Sequence, residues 1–142
     1  MSILDRQNTI SSAFKKIHKD ISDSLKVYED LSNIQDDIWE KNDLGYGNSV
    51  VIDDGNFFDK AGINFSSISG KSLPESSVGS KSNSNGLPFF ATGVSVVFHP
   101  KNPHIPTAHL NVRYFCTYEK NEVFEEWFGG GFDLTPYILD EE

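Results

Sequence analysis

The sequence predicts an α+β protein, one N-terminal helix followed by an antiparallel β-sheet. Three observations carry this reading. Apolar residues recur at helical spacing through the N-terminal segment. Beyond residue 47 the period changes to that of strands. The strand segments then follow one another through short Gly-, Asn- and Pro-rich connections, without the helices that a parallel βαβ series inserts between them.

Ile10, Phe14, Ile17, Ile21, Leu25, Tyr28 and Leu31 are three or four residues apart, so they share one face of a helix. Lys15, Lys16, Lys19 and Asp20 fall off that stripe, as a solvated face does. His18 borders it, in a surface or packing role. The pattern predicts a break near Ser32 and Asn33 and a second helical stretch through Trp39. Residues 41–47 read as a turn region. Residues 49–53 read as a strand, with Asp54, Gly55 and Asn56 turning the chain into residues 57–60. Residues 63–69 form another short strand candidate.

Residues 70–86 are mostly Ser, Gly and Asn, with little to bury, and read as a mobile surface loop. This loop lies within one domain spanning residues 1–142. From Phe89 the chain is strongly β. Residues 92–99 form a β-branched strand, and residues 107–118 a long alternating one. The segment 100–106 between them holds three prolines, which excludes helix and central strand. Residues 122–128 form a third strand candidate, which Gly129, Gly130 and Gly131 are expected to end.

Composition narrows the function classes. The formal net charge is −9, and phosphate contacts need clustered Lys and Arg, so nucleic acid is not an expected partner. The single cysteine, Cys116, allows neither an intrachain disulfide nor a Cys-rich zinc site. The N-terminal residues lack the basic and apolar regions of a secretory signal, and their acids do not suit a transit peptide. No apolar run approaches the ~18 residues that a membrane span needs. The expected location is cytoplasmic, with no membrane span.

Alternation along residues 107–118 decides which side chains work together. Ala108, Leu110, Val112, Tyr114, Cys116 and Tyr118 point to one side, as a core face would. His109, Asn111, Arg113, Phe115 and Thr117 point to the other. The second set can be the wet face of a half-buried sheet. It can also be a site. Should Val97 face His109, then Ser95 faces Asn111 and His99 lies diagonal to His109. All five polar groups would then share one face, and a slip of one residue would scatter them.

The chemistry of such a cluster suits an anionic ligand. Arg113 offers a planar fork for a carboxylate. Asn111 and Ser95 can orient a polar ligand, and a histidine can move a proton near neutral pH. His99 and His109 could begin a metal site, but two ligands are too few alone. His104 reads as an ordinary loop residue. The three glycines lack the Lys-Ser/Thr and the helix of a phosphate loop, and suit close backbone approach to a ligand or strand. Asp133 can cap a turn through Thr135 and Pro136, or accept hydrogen bonds from ligand N–H groups.

Three segments carry a family resemblance: GNFFDKAGINFSSISGKSLP from Gly55, GVSVVFHPKNPHIPTAHLNVRYF from Gly93, and WFGGGFDLTPY from Trp127. Together they resemble the oxygen-dependent coproporphyrinogen III oxidases, in the family's order, over roughly the last three quarters of the chain. The resemblance implies a large antiparallel sheet flanked by helices. It implies oxidative decarboxylation of coproporphyrinogen III to protoporphyrinogen IX by dioxygen, in haem biosynthesis. It also implies a homodimer and no organic cofactor, with a divalent metal disputed.

By the same resemblance Ser95, Asn111, Val112, Arg113 and Asp133 are substrate-binding, with Asp133 holding pyrrole N–H groups. His109 matches a proton donor, and His99 and His109 match residues discussed as metal ligands. Arg113, His109 and Asp133 form the expected catalytic set. Two places depart from the family pattern. Residues 41–47 (KNDLGYG) replace an arginine and a glycine run, and Glu126 stands where the family has a tryptophan. Family members run much longer, so the chain is expected to be an N-terminal part. It is then either active, or an inactive or split-gene fragment that acts only as a binding half with a complementary C-terminal chain. A different metal enzyme built on His99 and His109, and a structural domain with a wet polar face, remain the other readings.

Overall fold

The computed structural model of the chain describes residues 2–75 and 83–138. It contains helix α1 (Ile3–Leu25), a 3-10 turn (Leu31–Asn33) and six strands. These are β1 (Ile34–Lys41), β2 (Gly45–Asp53), β3 (Phe58–Gly70), β4 (Phe89–Pro100), β5 (Thr107–Glu119) and β6 (Glu122–Thr135). The strands form one antiparallel sheet in chain order. Helix α1 lies across β3 and β4 on one face. Among the described residues this is the one α-helix, so helices flank a single face of the sheet. No described helix is long and apolar enough to cross a membrane.

Helix α1 begins at a capping box. The Ser2 hydroxyl accepts from the Asp5 N–H, and the Asp5 carboxylate accepts from the Ser2 N–H. Phe14 and Leu25 are buried, with Ile10 and Ile21 packed beside them. Beneath lie Ile52, Ile63, Phe65, Val94 and Val96, all at most 4% exposed. Each such side chain contributes about 1.5–3 kcal/mol, whereas the Lys16–Asp20 and Lys19–Asp23 pairs on the outer helix face are solvent-exposed and add little. Packing therefore holds the helix. His18 is buried, its Nε2 3.2 Å from the Ile63 carbonyl oxygen, which makes its role one of packing.

One polar contact ties the N-terminal turn of α1 to the far strand. Arg6 grips the Glu126 carboxylate, Nη2 to Oε1 at 2.7 Å and Nε to Oε2 at 3.1 Å. The buried Tyr114 hydroxyl donates to Glu126 Oε2 at 2.7 Å. Burial and this bond to a carboxylate push the Tyr114 pKa up. The bond from Tyr114, ahead of the Arg6 pair, pulls the Glu126 pKa down despite its burial. Glu126, the departure from the family pattern, thus has local partners on the helix side.

Several expectations are corrected. The helix does not run on to Trp39. It stops at Leu25, Tyr28 and Leu31 are exposed, and residues 34–41 are strand β1. Ile34 and Ile38 are four apart, a spacing that fits a helix face and a strand face equally. The two strand candidates at 57–60 and 63–69 are one strand, β3, since Gly62 pairs with Val97 without a break. The glycines 129–131 do not end the third strand either. They pair with Arg113, Val112 and Asn111, and β6 continues to Thr135. Of the expected loop 70–86, residues 76–82 lie outside the described residues. Its two ends bury Leu73 and Ser84, contrary to the reading that little there could be buried.

A buried acid pins the β2–β3 hairpin. Glu29, 5% exposed, accepts N–H bonds from Asn56 at 2.5 Å and from Phe57 and Phe58 at 2.8 Å each. Burial opposes its charge, but the three donors outweigh burial and its pKa falls below the usual value. A lowered folded pKa stabilises the protein fully above the ordinary glutamate pKa of about 4.3, and the gain is lost as pH falls through the lowered value. Glu29→Gln replaces an acceptor oxygen by a donor and should cost about 1–3 kcal/mol at neutral pH. Urea unfolding at pH 7 and pH 3 should show the gap between wild type and variant narrowing in acid.

Candidate active site

The register of β4, β5 and β6 assembles the site. Val97 pairs with His109 and Ser95 with Asn111, the register on which the polar cluster depended. On the other side His109 pairs with Asp133, Asn111 with Gly131, Arg113 with Gly129 and Phe115 with Trp127. Because side chains alternate, all of these point away from helix α1. The opposite set, including Leu110, Tyr114 and Cys116, packs on the helix side as expected. Val112 belongs with that set, packed against the core opposite Val94. Its side chain is therefore parted from Asn111 and Arg113, and only its backbone is near them.

Asp133 is in a strand and caps no turn. Its Oδ2 lies 3.1 Å from His109 Nδ1 and accepts from the Thr135 hydroxyl at 3.0 Å. The His109 bond, then the Thr135 bond, hold the Asp133 pKa below the usual carboxylate range. No described residue bonds its Oδ1, so a ligand N–H can reach that atom. The carboxylate also orients the imidazole, leaving Nε2 of His109 as the ring nitrogen free for a substrate. His99 stands edge-on to His109 with ring centroids 5.9 Å apart, and its Nδ1 is 3.5 Å from the Tyr137 hydroxyl. Among the described residues no three His, Cys, Asp or Glu side chains converge as metal ligands, so these two histidines do not complete a coordination sphere.

Arg113 is exposed and makes no ion pair among the described residues. Its stem lies over Gly93, where a Cβ would sit 3.2 Å from Arg113 Cγ and 2.6 Å from the Val112 carbonyl oxygen. Glycines at 93 and 129 flank the arginine on both neighbouring strands, so its guanidinium is not walled in. An open depression of about 280 Å³ lies there, bordered by Asn64, Ser95, Arg113, Phe115 and Trp127 among others. Sequence reasoning missed Asn64, which continues the Ser95–Asn111 row on β3, and Trp127. The parity of each strand was readable, but the partners of β4 on β3 and of β5 on β6 were not. His104 is an exposed loop residue.

The arrangement can hold a carboxylate at Arg113, accept an N–H at Asp133, and move a proton at His109. Residues 9–142 match the family model described as coproporphyrinogen III oxidase. The chain is also 39% identical, over 137 residues, to the oxygen-dependent coproporphyrinogen-III oxidase of Wigglesworthia glossinidia brevipalpis. That match takes in 96% of this chain and 45% of the relative, so the chain spans about half the relative's length.

The hydrogen bond to His109 is the main cause of the low Asp133 pKa. In His109→Ala the Asp133 carboxyl should titrate closer to the ordinary range. Carboxyl-carbon NMR against pH reads this directly, and an unchanged titration would contradict the pairing.

Proposed function

Because this chain belongs to the coproporphyrinogen III oxidase family, we propose that it takes part in the oxygen-dependent conversion of coproporphyrinogen III to protoporphyrinogen IX. The observation that carries this reading is the convergence of Ser95, His109, Asn111, Arg113 and Asp133 on one open face. A porphyrinogen presents propionate carboxylates at its rim and pyrrole N–H donors at its centre. Arg113 suits the first and Asp133 Oδ1 the second.

In this reading Arg113 positions the carboxylate that leaves as carbon dioxide. Dioxygen attacks the pyrrole ring, a proton leaves the propionate β-carbon, and the vinyl group forms. Each propionate gives up two electrons, and two propionates together reduce one dioxygen to two waters. His109, held by Asp133, moves a proton in this sequence. Ser95 and Asn111 orient the substrate from the neighbouring row. Haem biosynthesis in the cytoplasm is the setting this chemistry fits.

A second reading rests on β6. Phe128, Phe132 and Leu134, on its helix-side face, are 63%, 66% and 56% exposed. Exposed apolar side chains on an edge strand invite further polypeptide. The chain would then act as a binding half, together with the length that it lacks relative to its relative.

An aerobic assay with coproporphyrinogen III, products separated by chromatography, tests both readings. Product from the chain alone supports the first. Product only on adding the remaining part of such an oxidase supports the second. Arg113→Gln should lower kcat/KM about 10–100-fold, the worth of one charge-assisted fork. Unchanged kcat/KM would remove Arg113 from the site.

A further inference from the structure

We propose that Trp127 and Phe115 form an aromatic platform that seats the face of one pyrrole ring while that ring's propionate reaches Arg113. This rests on the substrate class given above and adds a specificity-determining residue, Trp127.

Three rings lie nearly parallel on the open face. Phe115 and Trp127 are cross-strand partners with centroids 5.5 Å apart and planes at 27°. Phe89 continues the stack, 6.2 Å from Phe115 at 21°. Phe115 is half-buried between its neighbours, but Trp127 is 46% exposed. Its indole leans along β6 across Gly129, where a Cβ would lie 3.1 Å from the ring. Gly129 is the residue paired with Arg113. The indole therefore extends from the Phe115 row towards the arginine row, and a side chain at 129 would crowd it.

The platform and the arginine form one unit. Arg113 and Phe115 are two residues apart on β5, so their Cα atoms are about 7 Å apart. Both border the same depression. A π face beside an unpaired guanidinium matches a flat ring carrying an acid on a short flexible arm. A purely apolar ligand leaves the arginine unused, and a small carboxylate leaves the indole unused. His109 and Asp133 lie beyond Arg113 on the same strands, so a ring seated on Trp127 directs the rest of the molecule towards them.

The test uses coproporphyrin III, the stable oxidised form, titrated into the 142-residue chain and followed by porphyrin fluorescence. Trp127→Ser should weaken binding by about tenfold or more, the usual cost of a lost stacking ring. Trp127→Phe should stay within about threefold, since it keeps a π face. In Trp39→Phe, Trp127 is the sole indole, and its emission should be quenched with the same Kd. The platform is overturned by unchanged binding in Trp127→Ser, by equal losses in Trp127→Phe and Trp127→Ser, or by unquenched Trp127 emission. Lost binding in Arg113→Gln with normal binding in Trp127→Ser would reject the platform and leave the anionic tetrapyrrole reading standing. No binding by the unaltered chain would reject both. Far-UV circular dichroism identifies any variant that fails to fold.

Discussion

The pairing of β4 with β5 is the constraint on which the site depends. A strand has period two, so a slip of one residue would exchange its faces. In this register Val94 and Val96 share the helix side with Val112 and Leu110, while Ser95 and Val97 face Asn111 and His109. An odd slip of β5 against β4 would expose Leu110 and Val112 and bury Arg113. Helix α1 makes that slip costly because it covers the apolar face. The site geometry is therefore maintained by the hydrophobic effect acting on the opposite side of the same strands.

The same sheet leaves its other face free. Small residues at 93 and 129 remove the side chains that would crowd Arg113, and β6 brings Asp133 up to His109. The polar groups fall in rows across strands, with an aromatic row at one end and a His–Asp pair at the other. Such a face offers separate places for a flat ring, an acid arm and an N–H group. On a chain of net charge −9, the exposed Arg113 guanidinium is a positive charge without an ion pair among the described residues.

Two carboxylates organise the periphery, one buried (Glu29) and one at the surface (Glu126). Glu29 gathers three N–H groups at the β2–β3 turn, and Glu126 joins α1 to β5 and β6 through Arg6 and Tyr114. Neither faces the site. Glu29 satisfies backbone N–H groups where a turn meets the core, as a buried acid requires, while Glu126 holds its partners at the sheet's surface.

The sequence by itself determined the α+β class, the long strand at 107–118 and the faces of its residues; the cluster of Ser95, His109, Asn111 and Arg113 it offered only on condition of one register between two strands. Periodicity reports local geometry, and each of those facts is local. It also held the motifs that place the chain in its family. Tertiary structure decided what local pattern leaves degenerate. Ile34 and Ile38 fit either period, and only pairing with β2 made that segment a strand. The glycines at 129–131 looked like a terminator, because glycine lowers strand propensity, yet β5 supplied the hydrogen bonds that carry the strand through them. Which residue meets His109 and which ring stacks on Phe115 depended on β6, since cross-strand register is set by burial and pairing between distant segments.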